Sequence, residues 1–238
     1  MRLDTYLVER GYFESRNRAA EAIKSGSVTL NGRRAKPSAA VQNTDTIDVQ
    51  TAKYYVSRAA RKLEGFFAEH PVPVAGKRCL DIGSSTGGFT QILLEHGAAS
   101  VDCVDVGRDQ LHDSLRQDPR VGVHEQTDIR DFEAAPYEVI VSDVSFISLL
   151  HILPAVDRLA APGAQIVLLF KPQFEVGREA RRDSRGVVTD EAAIDAAMAR
   201  FEAAANGMGW RLETQTPSTL TGKEGNREWV YHFGGRGE

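Results

Sequence analysis

Apolar residues near the start of the chain recur at helical spacing. Leu3 and Leu7 lie on one face of a predicted first helix over Arg2–Glu9. Ser15 is a suitable N-cap for a second helix through Ile23. Strand-like runs follow, separated by glycine and by a hairpin signal in which both residues tolerate positive φ. Gly26 is the predicted end of the second helix, and Ser27–Leu30 is the first predicted strand. Asn31-Gly32 forms the predicted turn, and Thr46–Val49 is a further short strand.

The remainder of the chain alternates short apolar runs with helix-length segments. A helix over Arg58–Ala68 with Ser57 as its N-cap comes first, and Pro71 and Pro73 then break the chain. The alternation after these prolines predicts a doubly wound parallel sheet with helices on both faces, an α/β fold. The predicted strands are Arg78–Ile82, Ser100–Asp105, Val121–Glu125, Glu138–Asp143, Gln165–Phe170, Arg211–Thr216 and Trp229–Phe233, with helices starting near Gly87, Gln110, Ile147 and Asp190.

Charge is distributed unevenly along the 238 residues, whose formal net charge is −4. Residues 1–62 hold 12 Lys and Arg against 6 Asp and Glu, whereas the rest holds 17 against 27. A basic module joined to an acidic one is typical of a protein whose first part binds polyanions, although a solvated basic face without a partner gives the same pattern. We therefore predict a small domain over residues 1–52, a linker over 53–56 and a larger domain over 57–238.

Several classes of protein are disfavoured by the sequence. A secretory signal is not predicted, because no apolar run follows a basic stretch at the start, and no run approaches the length of a membrane span. Cys79 and Cys103 lie in strand-like runs without CxxC spacing, which favours buried thiols over a disulfide or a metal site. The six histidines have no metal-ligand spacing, so no metal is expected. These features predict a cytoplasmic protein.

Acidic residues follow three successive predicted strands. The first strand ends in Asp81-Ile82-Gly83, and the glycine-rich turn after it opens a helix. The turn lacks GxGxxG spacing, and an aspartate there suits a ligand ammonium group better than a pyrophosphate. Asp105 ends the second strand, where a carboxylate can accept from both ribose hydroxyls, and Asp128 follows the third, beside the backbone of Ile129, as an acceptor for an adenine amino group. Together these residues predict an S-adenosylmethionine site.

Four further polar residues lie at strand ends or on the helix before the first strand. Because the ends of neighbouring strands meet at one edge of a doubly wound sheet, we expect them to converge beside the cofactor. They are Lys62, Asp143, Lys171 and Glu228. Two surface ion pairs are the alternative interpretation.

The order of these four residues resembles the Lys-Asp-Lys-Glu tetrad of FtsJ-like ribose 2′-O-methyltransferases. The segments SRAARKL, DIGSSTGGF, DVSFISL and KPQFEVGR resemble the TlyA family of ribosomal RNA methyltransferases, some of which are called hemolysins. The segment RLDTYLVERGYFESRNRAAEAIKSGSVTLNGR resembles the S-four RNA-binding domain of a small-subunit ribosomal protein.

The resemblance implies 2′-O-methylation of a cytidine in large-subunit ribosomal RNA. Some members also modify the small subunit, and the short N-terminus favours the narrower group. Lys171 would act as the base, because a neighbouring cation such as Lys62 and partial burial favour a neutral amine. Asp143 and Glu228 would orient the two lysines. Three rivals stay open: an RNA-binding protein with an inactive methyltransferase fold, a membrane-active hemolysin and a nicotinamide oxidoreductase.

The candidate site therefore contains a Rossmann-like S-adenosylmethionine pocket, a catalytic tetrad and basic residues for ribosomal RNA or ribosomal subunits, with no membrane or metal partner expected. The predicted cofactor-binding residues are Asp81, Gly83, Ser84, Ser85, Thr86, Gly87, Gly88, Phe89, Asp105, Asp128, Ile129 and Asp143. The predicted RNA contacts are Arg2, Arg16, Arg18, Lys24, Arg33, Arg34 and Lys36 in the smaller domain and Arg58, Arg178 and Arg182 in the larger one.

Overall fold

The chain forms two compact units, Met1–Tyr54 and Tyr55–Glu238. A computed structural model describes residues 1–13, 15–42, 44–49 and 55–237. The division falls within the predicted 53–56 linker, whose first two residues lie outside the described ranges. No helix in these ranges is long and apolar enough to cross a membrane.

The smaller unit packs two helices against a three-stranded antiparallel sheet of strand order β2-β1-β3. Its core consists of a few buried apolar side chains, with Leu3, Leu7 and Ile23 on the helices and Val28 on the sheet. The elements are α1 (Leu3–Glu9), α2 (Arg16–Ser25), β1 (Val28–Leu30), β2 (Arg33–Arg34) and β3 (Ile47–Val49).

Local signals set the bounds of these elements as the sequence predicted. The Ser15 hydroxyl accepts from the backbone N–H of Arg18, and Gly26 ends α2 in a left-handed conformation. Asn31 and Gly32 have φ of 52° and 71°, the left-handed values that a tight hairpin between β1 and β2 requires.

The larger unit is built on a seven-stranded sheet of strand order β6-β5-β4-β7-β8-β10-β9. Strands β4 to β8 run parallel, and β10 lies antiparallel between β8 and β9. The predicted Rossmann-like fold is confirmed, but the prediction of a wholly parallel sheet is wrong, because β10 enters between β8 and β9 in the reverse direction. The strands are β4 (Arg78–Ile82), β5 (Ser100–Val104), β6 (Val121–His124), β7 (Tyr137–Ser142), β8 (Ala160–Phe170), β9 (Arg211–Pro217) and β10 (Trp229–Gly234). The helices are α3 (Arg58–Glu69), α4 (Gly88–Glu95), α5 (Asp113–Arg116), α6 (Leu153–Leu159), α7 (Pro172–Glu175) and α8 (Glu191–Gly207), with a 3₁₀ turn at Leu149–His151.

Both faces of the sheet are covered by apolar side chains of the helices. One cluster joins Phe66 of α3 and Leu93 of α4 to the sheet. The other joins Val156 of α6 and Phe201 of α8 to Tyr231 on the opposite face. Cys79 and Cys103 are buried free thiols on adjacent strands, as their apolar surroundings predicted.

Two predicted helix starts are wrong, and competing hydrogen bonds explain both. The helix expected near Gln110 is the short α5, because the Glu125 carboxylate accepts from the backbone N–H of Asp109, Gln110 and Leu111 and holds them in a loop. The helix expected near Ile147 begins as a 3₁₀ turn capped by the Ser148 hydroxyl, and α6 follows it.

The predicted cap of α3 is wrong in its hydrogen bonding. Ser57 occupies the N-cap position, but its hydroxyl makes no capping bond and has no hydrogen-bond partner. The hydroxyl lies instead against Gly88, where any added Cβ would collide with it. The Ser57 side chain therefore takes part in the close packing of α3 on α4 and does not cap the helix.

Candidate active site

Two neighbouring cavities open at the carboxyl ends of β4, β5 and β7. Their volumes are about 630 Å³ and about 360 Å³. The chain winds outward from β4 to β5 on one side and to β7 on the other, which is where ligands bind in open α/β sheets. Both cavities are lined by Gly83, Ser85, Asp143 and Ser145.

The larger cavity contains the carboxylate that ends the second strand. Asp105 Oδ2 accepts from the backbone N–H of Ser85 at 2.8 Å, and its Oδ1 accepts from that of Gly107 at 2.7 Å. These bonds fix the carboxylate at the cavity wall while leaving lone pairs for a ligand hydroxyl.

The residues after the third strand line the same cavity. Ile129 is buried in its wall, whereas the Asp128 carboxylate accepts from the side chain of Arg130 at 2.6–3.1 Å. That pairing lowers the pKa of Asp128. A ligand donor that approaches Asp128 must therefore share this carboxylate with Arg130.

Asp81 lines the smaller cavity and is buried completely. Its Oδ2 accepts from the backbone N–H and the hydroxyl of Thr90 at 2.8 and 2.6 Å, whereas its Oδ1 has no hydrogen-bond partner. Burial raises the pKa of Asp81 to about 7, with Asp143 and Asp105 adding charge repulsion. A cation at Oδ1 would supply the missing partner.

The glycine-rich turn divides into residues that face the cavities and residues that allow close packing. Gly87 has φ of 93°, and an added Cβ would collide with Leu115. Gly87 and Gly88 line neither cavity. The other predicted residues of the turn do line the smaller cavity: Gly83, Ser84, Ser85, Thr86 and Phe89.

The four predicted catalytic residues form two ion pairs of low exposure. Lys62 Nζ of α3 lies 2.5 Å from Glu228 Oε2, with side chains 10% and 2% exposed. Lys171 Nζ lies 2.6 Å from Asp143 Oδ1, with side chains 8% and 14% exposed. Charges this deep are tolerated because each lysine has a carboxylate beside it.

The antiparallel register of β8 and β10 brings the two pairs to the same edge. Phe170 is paired with Trp229 in that register, so Lys171 and Glu228 occupy the next pair of positions beyond the two strands. Lys171 follows the end of one strand, and Glu228 precedes the start of the other. The predicted convergence therefore combines a strand end with a strand beginning.

Two residues that sequence reasoning left without a role, Ser145 and Phe146, lie in the loop that follows Asp143. The Ser145 hydroxyl is 2.8 Å from Lys171 Nζ. Phe146 is 91% exposed, has φ of 67° and lies with its ring centroid 5.2 Å from that of Phe174. An aromatic residue three positions after a strand-end acid, in a loop, is the signal that could have drawn attention to this segment.

The predicted RNA contacts of the smaller unit differ in their ion pairing. Arg2 bonds through two nitrogens to the buried Asp4, and Arg16 lies 3.6 Å from the same carboxylate, whose pKa they lower. The Arg34 side chain donates to the carbonyl of Ser25, and the backbone N–H of Arg18 donates to the Ser15 hydroxyl. Lys24, Arg33 and Lys36 are exposed, and no described carboxylate pairs with them.

In the larger unit, the basic residues predicted to contact RNA are exposed. Arg58 lines the smaller cavity and donates to the carbonyl of Thr221. Arg178 and Arg182 lie on the segment between α7 and α8. Across the described ranges, no group of His, Cys, Asp and Glu is arranged to hold a metal ion.

Comparison with known proteins gives the following matches. The model of FtsJ-like methyltransferases matches residues 55–235, and the S4 domain model matches residues 1–47. The 23S rRNA (cytidine-2′-O)-methyltransferase TlyA of Campylobacter jejuni is 43% identical over 253 residues, covering 98% of this chain and 99% of that protein.

Two other proteins extend the comparison. The 16S/23S rRNA (cytidine-2′-O)-methyltransferase TlyA of Mycobacterium tuberculosis is 43% identical over 235 residues, covering 96% of this chain and 87% of that protein. A solved structure from Streptococcus thermophilus, provisionally described as a hemolysin, superposes with a TM-score of 0.73 at 36% identity, covering 99% of this chain and 88% of that one.

Removal of Glu228 should destabilise the larger unit, because the Lys62 ammonium would lose its described partner while buried. Glu228→Ala should lower the free energy of unfolding by about 3–5 kcal/mol. The pair of Lys77 and Glu138, whose side chains are 39% and 44% exposed, is a matched control, and Glu138→Ala should cost about 0–1 kcal/mol. Urea denaturation measures both. Similar small losses in the two variants would contradict a buried pair.

Proposed function

The chain belongs to the TlyA family of FtsJ-like methyltransferases, and on that premise we propose that it methylates the ribose 2′-hydroxyl of a cytidine in ribosomal RNA with S-adenosylmethionine as donor. Large-subunit RNA is the proposed substrate, since both TlyA relatives are named as methyltransferases of 23S rRNA. The S4 domain match at residues 1–47 supports RNA as the partner.

The observation that carries the proposal is the pair of buried lysine–carboxylate contacts at the sheet edge, one of which includes Asp143 of the cavity walls. An inactive methyltransferase fold that only binds RNA has no need of lysines that lie at 8–10% side-chain exposure. Even a well-paired buried charge contributes little to stability compared with apolar side chains of similar volume, so two such pairs at one edge are better explained by a function than by folding. The arrangement therefore favours an enzyme over the inactive alternative.

The larger cavity fits the adenosine part of S-adenosylmethionine. Asp105 is fixed at its wall with lone pairs available for the two ribose hydroxyls. The buried side chain of Ile129 offers an apolar surface to the adenine ring. Asp128 stays the proposed acceptor for the adenine amino group, which would share the carboxylate with Arg130.

The smaller cavity fits the amino-acid part. The unpartnered Oδ1 of Asp81 suits the ammonium group, and no other described hydrogen bond competes for it. The backbone at the start of α3, around Ser57 and Arg58, borders the same cavity and favours an anion such as the carboxylate. When bound, the cofactor supplies a methyl group on a positively charged sulfur.

Lys171 is the proposed base for the ribose hydroxyl, and Asp143 holds its side chain at the edge shared by the two cavities. Lys62, held by Glu228, supplies positive charge near the target phosphate or ribose. Phe146 offers an exposed ring on which a nucleobase can stack. Positioning of the hydroxyl by these groups would account for much of the acceleration.

The proposed activity is tested by mapping 2′-O-methyl groups in ribosomal RNA incubated with the protein and the methyl donor. The parent should add a methyl group at cytidine. Lys171→Ala should lower the rate by about 10²–10⁴-fold, the usual contribution of a positioned base. Its cofactor affinity in calorimetry should stay within a few-fold.

Lys77→Ala, which removes a partly exposed lysine that lines neither cavity, is the matched control and should keep the parent rate. A Lys171→Ala protein that methylates at the parent rate would refute the assigned base.

Cofactor affinity should rise with pH through neutrality. Asp81 is neutral below its pKa of about 7 and charged above it, and an ammonium group binds the charged form. The affinity should therefore increase about five- to ten-fold between pH 6 and pH 7.5. Asp81→Asn keeps an acceptor for Thr90 but should bind more weakly, with little change over this range. Calorimetry at several pH values gives the comparison, and a flat parent profile would argue against Asp81 as the ammonium partner.

Binding of RNA should depend on the exposed cations of the smaller unit that no described carboxylate pairs with. The triple change of Lys24, Arg33 and Lys36 to Ala should weaken binding and reduce the slope of log K against log salt by about 2, if each residue contacts one phosphate. The control removes the same charge from the edge of the large sheet that lies away from the cavities, by changing Arg120, Arg211 and Arg236 to Ala. Filter binding at several salt concentrations measures both slopes. Equal slopes in the two variants would exclude this surface as the docking site.

A further inference from the structure

Lys171 Nζ has three close neighbours in the structure. Asp143 Oδ1 lies 2.6 Å away as an ion pair without hydrogen-bond geometry, and the backbone carbonyl of Asp143 lies 3.4 Å away. The Ser145 hydroxyl lies at 2.8 Å with good geometry. The best-formed hydrogen bond of the proposed base is therefore made to a serine.

These three neighbours differ in what they can give. A carboxylate and a carbonyl hold no hydrogen, so they can only accept from the lysine. A hydroxyl both donates and accepts. When Lys171 is a neutral amine, its lone pair can receive a proton from Ser145 and from neither group of Asp143.

Access from the cavities leads through the same hydroxyl. The side chains of Lys171 and Asp143 are 8% and 14% exposed. Ser145 is exposed and lines both cavities. A ribose hydroxyl that enters this region therefore meets Ser145 before it reaches the lysine.

Contacts with α7 fix the loop that carries Ser145. The Glu175 carboxylate of α7 accepts from the Ser148 hydroxyl at 2.6 Å and from the backbone N–H of Leu149 at 2.7 Å. Phe146 packs on Phe174 of the same helix. Because α7 directly follows Lys171, the serine and the lysine are fixed by one short segment.

We propose that Ser145 is a catalytic residue that relays the proton of the ribose 2′-hydroxyl to Lys171. The proposal rests on the proposed function. Lys171 first releases its ammonium proton to solvent, which leaves a neutral Nζ beside Asp143. The ribose oxygen then gives its proton to Ser145 Oγ, while the Ser145 hydroxyl proton passes to Nζ of Lys171. As the ribose oxygen attacks, its bond to the methyl carbon forms and the bond from that carbon to sulfur breaks, with the electron pair left on sulfur. The positive charge of the donor thereby ends on the Lys171 ammonium.

Single-turnover methylation of ribosomal RNA tests the relay with two substitutions at one position. Ser145→Ala removes the hydroxyl and should slow methyl transfer by about 10²-fold, with cofactor and RNA affinity within two-fold of the parent. Ser145→Thr retains a hydroxyl and should recover most of the rate. Ser145 is exposed, so neither change removes a core side chain.

The solvent isotope effect separates a relay from a merely structural role. The parent rate should depend on the deuterium fraction of the solvent as expected for two protons in motion. The residual activity of Ser145→Ala should fit one proton. Ser148→Ala is the matched control, because it loses a hydroxyl of the same loop that contacts Glu175 rather than Lys171. It should keep the two-proton dependence.

The outcomes separate the relay from the function on which it rests. A Ser145→Ala rate equal to the parent, together with an inactive Lys171→Ala, would overturn the relay and leave the function intact. Equal losses in Ser145→Ala and Ser145→Thr would also overturn it, since the hydroxyl would not be the cause. If the parent transfers no methyl group to ribosomal RNA, the proposed function fails and the relay fails with it.

Discussion

The parallel pairing of β4 with β7 determines where the polar side chains of the candidate site lie. Ile82 and Ser142 are paired at the ends of the two strands, and the backbone N–H of Asp143 donates to the carbonyl of Ile82. The chain diverges from this seam in both directions, which opens a crevice at the carboxyl edge. The antiparallel β10 then brings Glu228 to the same edge, although this residue precedes its strand. Without that reversal, Glu228 would not reach this edge to pair with Lys62.

The sequence allowed prediction of those parts of the fold and site that depend on local patterns. Strand ends and their acids could be located because apolar runs stop there, and Asp81 and Asp105 lie at the cavities accordingly. The short α5 could not be predicted, because a distant carboxylate, that of Glu125, takes up the N–H groups of its expected first turn. The engagement of Asp128 by Arg130 and the contact of Ser145 with Lys171 depend on side-chain conformation. No spacing rule encodes such contacts.

The charges around the cavities are balanced in two different ways. The lysines lie beside carboxylates, so each pair is close to neutral and tolerates burial. Asp81 is held by the N–H and hydroxyl of Thr90 instead of by a cation, and burial therefore raises its pKa. A positively charged ligand is the natural complement of such a group. At this edge, the two lysines already have carboxylates beside them, whereas Asp81 has no cationic partner among the described residues.

The small core of the N-terminal unit has a consequence for how often the unit opens to solvent. Its described core consists of five buried side chains, and its strands are two or three residues long. So little buried apolar surface gives a low free energy of opening, whereas the seven-stranded sheet buries far more. Backbone amides of the small unit should therefore exchange with solvent much sooner than those of β4 or β7. A polyanion that binds only the closed form would lower the population of the open form by mass action. Bound RNA would therefore protect the backbone amides of the whole small unit from exchange.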